Sequence, residues 1–277
     1  MKKIIVPIDF SEYSEFALEA AVMLAKTHKA EILALHMLEM SDTLLTNSDN
    51  EQHAKAVFLL KLAEQKFAEF LDKPYLENVA VTPIVKHFKV FSEVNEVAKA
   101  QQADLIVMGS QGASGMKEIF IGSNTEKVVR HSEIPVLIIK HNPVLMDFET
   151  VVFASDFEEH SINAYIKASQ MFEILNIKMH LLYVNLPNES FKSSSEIEKK
   201  VTQFIKKADG NLNKLKTVKY VSDYSIEKGI LNFSNTIGAD LIAVATHGRK
   251  GIAHFFEGSI SEDVANHSTL PVMTFKI

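Results

Sequence analysis

Gly109-Ser110-Gln111-Gly112, nine further residues and then Gly122-Ser123 make a spacing that can hold phosphate. Glycines let a main chain approach an anion closely. A helix opening at the second pair would present unbonded amides and the positive end of its dipole, about half an elementary charge. Ser123 adds a hydroxyl donor. The stretch lacks the lysine of the G-x-x-x-x-G-K-[ST] loop, and it is not the dinucleotide pattern G-x-G-x-x-G. Turn and cap glycines are routine in βα connections, so a structural reading of this element stands beside the phosphate reading.

The element occurs nearly twice. At a spacing of 136 residues the chain reads Ala245-Thr246-His247-Gly248 and then Gly258-Ser259. Ala103-Asp104-Leu105-Ile106 returns as Ala239-Asp240-Leu241-Ile242, His131-Ser132 as His267-Ser268, and Pro135-Val136 as Pro271-Val272. Earlier residues match at 147 instead: Asp9-Phe10 with Asp156-Phe157, Ser14 with Ser161, Ala17 with Ala164 and Ala21 with Ala168. The difference of 11 is a net insertion in the first copy, between about residues 38 and 90, where the polar run Ser41–Asn50 reads as a longer surface loop. A period this long makes each copy a whole domain and not a solenoid unit.

Composition agrees with that division. The 277 residues suit two domains of ordinary size, each able to bury a core, and 47% of them are hydrophobic against 23% charged. No apolar run approaches the roughly 20 residues needed to span a bilayer. Met1-Lys2-Lys3 and the apolar run behind it are interrupted early by Asp9 and Glu12, which favours a strand over a secretion signal. With no cysteine, disulfide and thiolate chemistry are excluded and a reducing, cytoplasmic setting is expected. A net charge of −6 argues against nucleic acid as a partner.

These residues need elements to position them, and each half alternates short apolar runs with helical spacing. Lys3–Ile8, Ile32–Leu38, Val79–Val85, Leu105–Met108 and Pro135–Ile139 read as strands of the first half. Phe16, Ala17, Ala20, Ala21, Leu24 and Ala25 follow a helical period. Ser48-Asp49-Asn50-Glu51 reads as a capping box, ahead of a helix that turns Val57, Leu60, Ala63, Phe67 and Phe70 inward. Another helix is expected over Val94–Ala100, and the last opens at Gly122-Ser123. Strands near 150–155, 178–184, 218–225, 240–245 and 271–276 repeat the plan. Strands alternating with helices give an α/β fold: a parallel sheet covered on both faces, because each parallel crossover needs a helix.

Other chemistries find less support. None of the eleven histidines falls in an H-E-x-x-H or comparable spacing, so no metal site is expected. His131 and His267 follow the last helix of each half, where a histidine commonly satisfies the final carbonyls. Asp9 stands at a strand end without the companion acidic pair that a phospho-acceptor domain uses to hold Mg²⁺. No nucleophile elbow G-x-S-x-G sits in a strand–turn–helix setting. Lys206-Lys207 and Glu196–Glu198 read as a solvated helix face.

G-x-x-G-x9-G-[ST], preceded by an apolar strand and followed by a helix and Ile134-Pro135-Val136, resembles the nucleotide loop of universal stress proteins. Val6-Pro7-Ile8-Asp9-Phe10-Ser11, Leu35-His36-Met37 and Ala103–Ser110 are similar to that family's first, second and fourth strands, and the likeness covers nearly the whole chain in two copies. It implies two tandem flavodoxin-/Rossmann-like domains, each a five-stranded parallel sheet of order 3-2-1-4-5. The cleft would lie at the switch point between strands 1 and 4. Carried over residue by residue, it implies that Gly109, Gly112, Gly122 and Ser123 hold the phosphates of ATP or AMP. Asp9 would contact the ribose side and Met37 would line the adenine pocket, with Mg²⁺ as a companion of ATP. The equivalents in the second copy are Asp156, Val184, Gly248, Gly258 and Ser259. That copy departs from the pattern at Ala245, where the first has Gly109, and at Ala154, where it has Pro7. If position 245 needs a left-handed backbone, alanine costs about 1–2 kcal/mol, or roughly five- to thirty-fold in affinity. In an ordinary conformation it costs almost nothing. Arg249 and Lys250, in place of Ala113 and Ser114, would compensate in part.

The expected organisation is a domain over 1–140 with a complete loop, a linker over 141–149, and a domain over 150–277 with a degenerate loop. The family likeness also implies an intramolecular pseudo-dimer through Val136–Ile139 and Val272–Phe275, open to further self-association. The leading functional expectation is an adenine-nucleotide-binding protein of stress response or regulation, without a membrane partner. A nonbinding scaffold of the same fold, or a slow ATPase, are the alternatives.

Overall fold

The computed structural model describes residues 1–39, 49–88, 92–111, 121–143, 148–246 and 260–277. Its contacts divide the chain into two compact units. One comprises Met1–Glu118, Gly122–Val128 and Ile138–Pro143; the other comprises Ile119–Ile121, Val129–Leu137 and Val144–Ile277.

In the first half the elements run β1 (Lys3–Pro7), α1 (Glu12–His28), β2 (Glu31–Glu39), α2 (Asp49–Phe70), β3 (Val81–Phe88), α3 (Ser92–Ala100), β4 (Leu105–Gly109), α4 (Ser123–His131) and β5 (Val136–Ile139). The second half gives β6 (Thr150–Ala154), α5 (Ile162–Ile174), β7 (Lys178–Asn185), α6 (Ser194–Asp209), β8 (Lys219–Ser222), α7 (Ile226–Thr236), β9 (Leu241–Thr246), α8 (Ile260–His267) and β10 (Val272–Lys276). Strands are ordered β3-β2-β1-β4-β5 in one half and β8-β7-β6-β9-β10 in the other, the expected 3-2-1-4-5 order twice. The registers among β1–β4 and among β6–β10 are parallel, with helices on both faces.

The central strands are apolar throughout because both their faces are covered. Ile4, Ile5, Leu105 and Ile106 have no exposure, and neither do Val151, Val152, Leu241 and Ile242. Ser11 starts α1 by accepting the Ser14 amide, with Glu12 and Glu15 at the positive end and Lys26 and His28 at the negative one. A capping box, Ser193 with Glu196, starts α6, and Gly210 ends it at φ 71°.

The repeated Ala-Asp-Leu-Ile motif is a clamp. Asp104 Oδ2 accepts the amides of Lys2 (2.5 Å) and Lys3 (3.0 Å), fixing the start of β1 beside β4. Asp240 Oδ2 does the same for Glu149 (3.1 Å) and Thr150 (2.9 Å). The His-Ser repeat is a turn: Ser132 Oγ donates to Ile134 O and accepts its amide, as Ser268 does with Leu270.

One expectation needs correction. Val57 faces outward on α2, 38% exposed, and the inward stripe is carried by Ala63 and Phe67. His267 Nδ1 lies 2.7 Å from Glu227 Oε1, and the main-chain carbonyl of His131 accepts from Lys276 Nζ at 3.4 Å, both within the second unit. The Ser48–Glu51 capping box lies outside the described residues, as do Lys250, Arg249, Ala113 and Ser114.

Candidate functional site

The carboxyl ends of β2, β1 and β4 form one rim. Ile4 pairs with Leu105 and Pro7 with Leu35, so continuing both registers sets Asp9 level with Ser110 on one side and Met37 on the other. Ile8 still donates to Leu35 O at 2.8 Å, which holds this alignment up to Asp9. Beyond β4, the Gly122 amide donates to Ser110 O (2.7 Å) and the Thr125 hydroxyl donates to Gly109 O (2.8 Å). These bonds seat the first turn of α4 directly on the end of β4, with Ser123 exposed as its first residue. Asp9, Met37, Gly109, Gly122 and Ser123 are thereby brought to the same edge. Gly112, Gly248, Gly258 and Ser259 lie outside the described residues, as do His247 and Lys117.

Asp9 is exposed, and its Oδ1 accepts the Ser11 amide (3.0 Å) and hydroxyl (2.5 Å). The turn that presents it is held by Phe10, which adopts φ 64°. A left-handed phenylalanine is uncommon and costs roughly 1–2 kcal/mol. Its ring is fixed by His36 at 4.6 Å, Phe67 at 5.2 Å and Phe70 at 5.6 Å. His36 Nδ1 lies 2.7 Å from Ile8 O, and because a carbonyl only accepts, Nδ1 carries the proton in the neutral ring. Burial holds the His36 imidazole below its usual pKa, with Lys66 contributing and the Ile8 bond and Asp9 opposing.

The second half rebuilds the same rim differently. Phe157 is left-handed too (φ 53°) and 2% exposed, wedged against Phe204 at 5.2 Å and Tyr183 at 6.2 Å. Asp156 Oδ1 accepts the Glu158 amide (3.0 Å) and the Ser161 hydroxyl (2.8 Å), and His160 Nε2 stands 3.2 Å from Oδ2. Its carboxylate is engaged on both oxygens. Val184 packs beneath Gly229 of α7, so closely that a Cβ on that glycine would fall 2.6 Å from Val184 Cγ1.

Gly109 and Ala245 both lie in strands, and neither is among the described residues of positive φ. The left-handed penalty considered for Ala245 therefore does not arise. The glycine answers to space: a Cβ at Gly109 would meet Tyr13 O at 2.6 Å. In the second half Tyr13 is replaced by His160, in a single 3-10 turn (Glu159–Ser161), and the α-helix starts only at Ile162. Later entry of the helix is what accompanies an alanine at 245.

Two features escaped the sequence reading. The left-handed Phe10 and Phe157 gave no signal, because aromatic residues rarely take that conformation. Glu93, at the start of α3, also passed unnoticed: its Oε2 is buried without a hydrogen-bond partner among the described residues, and burial pushes its carboxyl pKa up. Among the described residues no group of three or more His, Cys, Asp or Glu could hold a metal, and no helix is long and apolar enough to cross a membrane.

The model of the universal stress protein family matches this chain twice, over residues 1–140 and 147–276. A universal stress protein of Methanocaldococcus jannaschii is 33% identical over 156 residues, half of this chain and 94% of that protein. The universal stress protein YxiE of Bacillus subtilis is 32% identical over 152 residues, again half of this chain and 98% of its own length. A crystal structure of a universal stress protein from Archaeoglobus fulgidus shares the fold over 99% of this chain and 96% of its own, with TM-score 0.65 and 24% identity.

Proposed function

The chain belongs to the universal stress protein family, and on that premise we propose that its first half binds an adenine nucleotide, ATP or AMP, in a role in stress response or regulation. The observation carrying this reading is the convergence of Asp9, Met37 and Ser110 on one rim, with the first turn of α4 seated beside them. That rim is the switch point of the 3-2-1-4-5 sheet, where open α/β sheets take ligands. Phosphates would meet the α4 amides, Ser123 and the main chain of Gly109, Gly112 and Gly122. Asp9 would face the ribose and Met37 the base. Bound ATP would bring Mg²⁺ as its counterion.

The second half is read as a scaffold of the same fold. Val184 lies under Gly229 and the Asp156 carboxylate is taken up by Ser161, Glu158 and His160, which supports one nucleotide per chain. We read the two halves as an intramolecular pseudo-dimer, supported by the double family match, and place the protein in the cytoplasm on its lack of cysteine. Calorimetric titration with ATP and GTP tests the binding reading. One site per chain with ATP preferred supports it; absence of heat with ATP and AMP refutes it.

A further inference from the structure

The two halves differ where the third helix meets the end of the second strand. In the second half Gly229 leaves no room above Val184. At the repeat spacings, the first half has Glu93 where the second has Gly229, and Met37 where it has Val184. By that equivalence α3 would direct Glu93 toward Met37, the region that α7 closes with bare backbone. Val94 and Ala98, on the same helix, have no exposure, as do Ile230 and Ser234 at the matching positions, so the two helices dock on the sheet through equivalent residues.

The residue at 93 is half-buried, yet its Oε2 has essentially no solvent contact and no hydrogen-bond partner among the described residues. An unpaired buried carboxylate oxygen costs stability, of the size that a ligand donor can recover. We propose that Glu93 Oε2 accepts a hydrogen bond from the exocyclic amino group of the base, and so makes the first-half site select 6-amino over 6-oxo purines. This rests on the nucleotide reading given above. A 6-oxo purine would turn a carbonyl oxygen toward the carboxyl oxygen, acceptor against acceptor. The discrimination belongs to the ionised carboxylate, whose oxygens only accept. Sites built to bond a substrate N–H reject analogues lacking it far more strongly than apolar pockets reject a methylene.

The test is calorimetric titration of the full chain with ATP and with inosine triphosphate, which differ in the 6-substituent. Wild type is expected to prefer ATP by tenfold or more, about 1.4 kcal/mol. Glu93→Gln, whose amide can donate to a 6-oxo group, is expected to bring the two nucleotides within about threefold of each other, chiefly by gaining inosine affinity. Glu93→Ala is expected to lose ATP affinity by about tenfold. A wild-type preference that persists unchanged in both variants overturns the inference while leaving nucleotide binding intact. Failure of wild type to bind either nucleotide overturns both.

Discussion

The main-chain oxygen of Tyr13 lies 2.6 Å from where a side chain at Gly109 would begin. The first glycine of the loop is therefore fixed by the entry of α1 across the end of β4, whatever ligand the loop holds. Gly109→Ala is expected to destabilise the protein by about 1–3 kcal/mol, because backbone rather than a flexible side chain must give way. Ala245→Gly, where the helix enters later, is expected to stay within about 1 kcal/mol. Urea denaturation of both variants checks the pair, and equal costs would refute the steric account.

Asp104 anchors two amides at the first residues of β1. Asp104→Ala is expected to cost about 1–3 kcal/mol and to speed amide exchange at Lys3 and Ile4 before the rest of the sheet. Hydrogen exchange that rises uniformly across the domain would show that the clamp is not local.

His36 supplies a pH dependence whose sign follows from its environment. Burial lowers its folded pKa beneath the ordinary imidazole value of about 6.5, so folding favours the neutral ring. The stability it contributes is complete above about pH 6.5 and is lost as pH falls from there through the lowered folded value. His36→Tyr, the residue type at the equivalent Tyr183, is expected to flatten the fall in stability below about pH 6.5. An unchanged slope would assign the acid sensitivity to other groups.

For the nucleotide reading, Gly122→Val should block the approach of phosphate at the seat of α4. Asp9→Ala should weaken binding on the ribose side by about tenfold, with melting followed in parallel because Asp9 also holds Ser11. Retained affinity in both variants, with the fold intact, would place the ligand elsewhere.

Turnover is expected to fall well below the enzyme median of about 10 per second. Backbone amides, Ser110 and Ser123 hold a triphosphate in its ground state, whereas phosphoryl transfer needs positioned charge and an oriented nucleophile. A steady-state ATPase assay with Mg²⁺ decides this: turnover on that scale, abolished by Ser123→Ala, would make the protein an enzyme.

The sequence by itself determined the duplication, the α/β class and the strand order. Apolar runs, helical spacing and family resemblance are local or repeated signals that survive without coordinates. The family resemblance also singled out Asp9, Met37, Gly109 and Ser123, which the structure sets on one rim. The tertiary structure alone decided why the two halves differ. Whether Gly109 must be glycine depends on Tyr13, 96 residues earlier in the chain, and whether Val184 is open depends on Gly229. Phe10 and Phe157 hold a left-handed turn only because rings from β2 and α2, or β7 and α6, trap them. Close packing between distant segments sets such constraints, and no spacing along the chain encodes them.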